Sequence, residues 1–134
     1  MGTGKARAAW EEIAQLLSLQ GKPEPASAMF AFNDISAIGA IRALREKGLP
    51  VPEDVSVVGF DDIQSAAYQN PGLTTVRQPL CKMGKIAADT VLRRIARDGA
   101  DYPRQIAVEP ELVVRESTCK AGPANVAKFN ARNG

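Results

Sequence analysis

An α/β fold, a parallel sheet with helices packed against it, is what this sequence predicts, and three observations predict it. Two short, almost wholly apolar runs end abruptly in polar pairs, Asn33-Asp34 and Asp61-Asp62, as strands covered on both faces of a parallel sheet do. Between them lies a helical stretch with an Asp at its start and Gly48 at its end, the usual capping chemistry of the two termini. Strand, helix, strand makes one βαβ unit, right-handed by the general rule for such crossovers. A length of 134 residues supports one core and not two.

Each element follows from its pattern. Over 5–20, Ala6, Ala9, Trp10, Ile13, Leu16 and Leu17 recur at intervals of three and four, predicting a helix with one buried face that ends near Gly21. Trp10 lies on that stripe and is read as core. The run 28–32 is the first strand. From Asp34, read as the cap, a helix carries Ile38, Ile41 and Leu44 as its stripe and stops at Gly48, before Pro50 and Pro52. The second buried strand is 55–60. A loop of small residues with Tyr68, Asn70, Pro71 and Gly72 leads to a third strand over 73–76. A long helix over 80–97 then places Met83, Ala87, Val91 and Ile95 on one face. The stretch 106–115 is extended, with Pro110 at an edge or a bend. Residues beyond Thr118 are rich in Ala, Asn, Gly and Lys, have little to bury, and are expected to be disordered.

Composition narrows the function. Hydrophobic residues make up 45% and charged residues 24% of the chain, an ordinary globular balance. A net charge of +2 from 17 basic and 15 acidic residues lacks the electrostatic footprint with which a domain grips nucleic acid. There is no histidine, which removes Ser-His-Asp and Cys-His catalysis and most zinc sites. Cys81 and Cys119 are far apart, which suits a reducing cytoplasm better than a disulfide framework; Cys81 is read as a buried thiol. No apolar run approaches the roughly 20 residues of a membrane span, so no membrane association is expected.

Ligands of open parallel sheets bind outside the carboxyl ends of the strands, and that rim carries Asn33, Asp34, Asp61 and Asp62. An Asn amide supplies an acceptor and two donors, and an Asp carboxylate accepts from neighbouring hydroxyls, a pairing suited to a sugar or polyol. Asp34 and Asp62 serve equally as caps and turn formers. Such acids also hold magnesium in phosphotransfer enzymes and receiver domains, but no third acid or lysine stands in register here. Gly2-Thr3-Gly4-Lys5 is no phosphate loop, since Ala6 stands where Ser or Thr is required. Glu111, Arg115 and Glu116 read as a solvated charge pattern.

The run Phe32-Asn33-Asp34-Ile35-Ser36-Ala37-Ile38-Gly39, the run Val55-Ser56-Val57-Val58-Gly59-Phe60-Asp61-Asp62, then Leu73-Thr74-Thr75-Val76-Arg77-Gln78-Pro79 and Glu111-Leu112-Val113-Val114-Arg115-Glu116-Ser117 together resemble the LacI/GalR family of bacterial transcription regulators. The resemblance covers roughly residues 4 to 118. It implies a periplasmic-binding-protein-like domain of two Rossmann-like lobes with a small effector in the cleft between them. This chain then corresponds to the C-terminal lobe, incomplete, over 1–118, with 106–115 crossing toward a missing lobe and 119–134 as a tail. Positions matching Asn33 and Asp61 hydrogen-bond the effector in that family, and the position of Gln78 lies nearby. Ile38, Ile41 and Tyr68 fall where its dimer contacts are made. The resemblance further implies no catalysis and no cofactor, a homodimer, and DNA contact only through a headpiece absent from this chain. A periplasmic sugar-binding protein of a transporter shares the fold and is the rival reading.

Overall fold

The computed structural model describes residues 27–96 and 105–120; the helix expected over 5–20 and almost all of the expected tail lie outside the described residues. Strands β1 (Ala28–Phe30), β2 (Ser56–Phe60), β3 (Thr74–Arg77) and β4 (Glu111–Val113) form one sheet in that spatial order. The first three are parallel to their neighbours, and β4 is antiparallel to β3. Helices α1 (Asp34–Glu46), α2 (Gln64–Ala67) and α3 (Leu80–Ile95) fill the connections. The βαβ unit therefore stands as expected. Of the segment 106–115, Glu111–Val113 pairs with β3 in this sheet.

Helix α1 builds the core. Its Ala37, Ala40, Ile41 and Leu44 are spaced by three and four and are buried, presenting one stripe to the sheet. Against them pack Leu49, Val51, Val55, Val57, Ala66 and Leu73, each large side chain contributing roughly 1.5–3 kcal/mol relative to exposure. The helix ends as its glycine foretells. Gly48 has φ +74, its N–H donates to the Arg45 carbonyl, and the Leu49 N–H donates to that of Leu44, a Schellman ending that needs a residue free to turn left-handed.

The opposite face of the sheet departs from expectation. Phe30 and Phe32 are 64% and 77% exposed, so the first strand is covered on one face and not on two. The reason is that, among the described residues, α1 covers only the side of Met29 and Val57. Phe30 and Val58 are register partners, as are Phe60 with Val76 and Val76 with Leu112, and this row faces away from α1. Nor does α3 bury any residue; Val91 and Ile95 on its apolar stripe are exposed.

Two further features were not foreseen. The loop after β2 contains the single turn of helix α2, which places Ala66 in the core. The chain after β4 returns beneath β3 and inserts Ser117, fully buried, against the amino end of β2. Its Oγ accepts from the Thr74 N–H at 2.8 Å and donates to the Val57 carbonyl at 2.6 Å, while its backbone accepts from Val57 and donates to Gly72. One serine thus joins two strands below the point where they pair with each other. Ser117→Ala leaves a buried donor and acceptor without this partner, and urea denaturation should show a loss on the order of 1–3 kcal/mol; an unchanged midpoint would deny Ser117 this bridging role.

Candidate functional site

Parallel register places the rim residues. Phe30 is the partner of Val58, and the Ala31 N–H extends the pairing to the Val58 carbonyl. Asn33 and Asp61 each stand three residues past that pair, so both leave the sheet side by side at its carboxyl edge. Gln78 leaves β3 at the same edge, and its Nε2 donates to Asp61 Oδ1 at 2.7 Å. All three are half-buried.

The roles of Asn33 and Asp34 are the reverse of the simplest expectation. Asn33 caps α1, its Oδ1 accepting from the Ser36 N–H at 2.8 Å. Asp34 is fully buried and faces the sheet, where its carboxylate accepts from the Thr75 hydroxyl and, at 2.8 Å, from the Ile63 N–H. Both side chains are competent caps; the residue with a distant partner to satisfy is the one drawn inside.

Asp61 and Asp62 turn the chain sharply, with φ of +113 and +53, values at which an L residue is strained and which cluster at ligand sites. Three successive amides hold that turn. The Asp61 N–H donates to the Val76 carbonyl, the Asp62 N–H to Thr75 Oγ1 at 3.4 Å, and the Ile63 N–H to Asp34. With its side-chain Oδ1 accepting from the Ser36 N–H, Asn33 keeps its two amide N–H donors uncommitted among the described residues. Asp61 Oδ2 and Gln78 Oε1 are likewise uncommitted acceptors. Adjacent donors and acceptors of this kind match vicinal hydroxyl groups.

Asp62 does different work. Its carboxylate accepts from Arg77 Nε and from an Arg115 guanidinium N–H, each at 2.6 Å, and Arg77 also reaches Glu111 at 3.1 Å. Arg115 further donates to the Leu73 carbonyl at 2.7 Å. The expected solvated pattern holds for Glu111 and Glu116, which are exposed, and is corrected for Arg115, whose side chain is only 17% exposed, because a half-buried carboxylate 53 residues earlier pairs with its charge. Cys81, expected to be buried, is exposed.

Among the proposed interface residues, Ile41 is 5% exposed and belongs to the core, Ile38 packs partly against it, and Tyr68 is 78% exposed. A hollow of about 500 Å³ lined by Arg45, Pro50, Pro52, Asn70 and Glu116 lies at the opposite, amino end of the strands. None of Asn33, Asp61 and Gln78 lines it.

The sequence model of the periplasmic binding protein-like domain matches residues 1–118. The chain belongs to that family, in its LacI/GalR form. The LacI-type assignment rests on relatives such as the transcriptional repressor PurR of Aliivibrio salmonicida, 39% identical over 119 residues, which are 89% of this chain and 34% of the relative. The ribose operon repressor of Haemophilus influenzae is 40% identical over 105 residues, 78% of this chain and 30% of its own. The chain thus spans about a third of the length of these relatives. In three dimensions it is similar to a lac repressor dimer bound to operator and the anti-inducer ONPF, with TM-score 0.75 and 33% identity over 86% of this chain and 38% of that one. It is also similar to a LacI-family regulator of Enterococcus faecium with bound ribose, with TM-score 0.70 and 31% identity over 87% and 41%. No described helix of this LacI-type domain is long and apolar enough to cross a membrane.

Acid should expose the Asp62 network. Burial raises the carboxyl pKa, and hydrogen bonds and charge from Arg115 and Arg77 together outweigh it, holding the group below its ordinary 3.8. A depressed folded pKa gives stability that is complete above the unfolded value and lost as pH falls through the folded one. Urea midpoints measured from about pH 5 down to pH 2 should fall more steeply for the natural chain than for Asp62→Asn. Parallel curves would show that the pairing contributes nothing.

Proposed function

We propose that this chain is a lobe of an effector-binding domain in a LacI-type regulator that senses a small polyhydroxylated molecule, a sugar or close relative. The observation that carries the reading is the grouping of Asn33, Asp61 and Gln78 at one rim, with amide donors and carboxylate and amide acceptors left over for hydroxyl groups. A ribose operon repressor among the relatives and a ribose-bound structural neighbour support the ligand class. On this reading residues 1–118 make the lobe, 106–115 cross toward a second lobe, and 119–134 lie outside it.

The mechanism is binding without bond-making. A ligand held by both lobes stabilises the closed arrangement by the difference in its affinity for closed and open states. That difference is passed to a separate DNA-reading headpiece as a coupling free energy, and the headpieces act in pairs because the regulator is a homodimer. Tyr68 and Ile38 supply part of the dimer surface. The protein is cytoplasmic, catalyses no reaction and needs no cofactor.

A thermal-shift screen of the complete natural protein against pentoses, hexoses and disaccharides tests the proposal. At least one sugar should raise Tm with concentration, as a ligand of the native state does. Asp61→Ala should weaken that sugar by about tenfold or more in calorimetric titration. A screen in which no sugar shifts Tm, or an affinity untouched by Asp61→Ala, would overturn it.

A further inference from the structure

Asp34 lies inside the rim, and the turn that carries Asp61 and Asp62 leads back to it through Ile63 and Thr75. It directly follows Asn33 in the chain and is the first residue of α1. Its side chain lies over β2, so close that a Cβ at Gly59 would sit 2.2 Å from Oδ1 and 3.0 Å from Leu73 Cδ2. Only a bare glycine backbone leaves room for it. From there one carboxylate oxygen accepts from Thr75 on β3 and the other from the Ile63 N–H beyond the Asp61-Asp62 turn. Thr75, itself fully buried, also accepts from the Asp62 N–H.

The geometry points to Asp34 as a positioning residue, with Thr75 as its relay: together they hold the left-handed Asp61-Asp62 turn and so set how tightly the rim binds ligand. The inference rests on the rim being the ligand site. Its physical content is preorganisation. A turn at φ +113 relaxes unless its neighbours hold it, and a carboxylate that must be ordered on binding costs affinity that an ordered one does not. The amide of Asp62 and that of Ile63 end on the Asp34–Thr75 pair, so removing either member frees one end of the turn while leaving the Asp61–Gln78 contact chemically intact.

The test has a ligand-free arm and a ligand arm, both on the complete natural protein. Asp34→Asn keeps the shape but loses one acceptor, and Thr75→Val removes the hydroxyl; Thr75→Ser restores it. Hydrogen exchange followed by NMR should quicken about tenfold or more at Ile63 in Asp34→Asn and at Asp62 in Thr75→Val, with the Val57 and Leu44 amides unchanged. D-ribose, the probe for titration, should bind about fivefold or more weakly to both and normally to Thr75→Ser. In an Asp61→Asn background, Asp34→Asn should add little further loss, since coupled residues are not additive. Faster exchange throughout the core, unchanged exchange at the turn, or losses that simply multiply would overturn the inference. If D-ribose fails to bind even the natural protein, that failure belongs to the choice of sugar, and the exchange result alone decides the role of Asp34.

Discussion

The contact between the Asp34 carboxylate and the bare backbone of Gly59 is the constraint on which the rim depends. It draws the start of α1 onto β2, offers an acceptor to β3 through Thr75, and catches the Ile63 N–H as the chain leaves its turn. A carboxylate buried away from water is costly unless its lone pairs are used. Here they are used on partners 41 and 29 residues later in the chain. Meeting that demand forces three strand ends to converge, and the convergence brings Asn33, Asp61 and Gln78 together.

The two ends of the sheet are secured by different chemistry. At the carboxyl rim charged groups dominate, with Asp62 tied to Arg77 and Arg115 and Asp61 tied to Gln78. At the amino end a hydroxyl does the joining: Ser117 ties Val57 to Thr74. An apolar row, Phe30, Val58, Phe60, Val76 and Leu112, runs across the sheet on the face that α1 does not cover.

Local rules explain what was legible in the sequence. The apolar runs, Gly48 and the polar strand endings located β1, α1 and β2 to within about two residues, and with them the shared edge of Asn33 and Asp61. The interior roles were not legible, because they depend on partners distant in the chain. Asn and Asp are both good caps, so nothing local says that Asn33 keeps the task while Asp34 turns inward. Arg115 looked solvated because its partner Asp62 is near in space only. Helix α2 is four residues long with two alanines, too brief to show a period. An Asp just past one strand, a Gly two positions before the polar ending of the next and a Thr inside the third are the signal that would have raised Asp34, Gly59 and Thr75 as a group.

The serine at the base of the sheet has a consequence for how the molecule is made. Val57 meets its closing partner only after 60 more residues have been synthesised, which takes roughly 3–12 seconds at ordinary ribosomal speeds. Through that interval the nascent βαβ unit has its strands and its helix, while the seam between β2 and β3 still lacks its bridge at the amino end. Completion waits for almost the last described residues to arrive, and any message cut short before that serine yields a chain whose β2 and β3 can still pair but whose Val57 carbonyl and Thr74 N–H have lost the side chain that joins them.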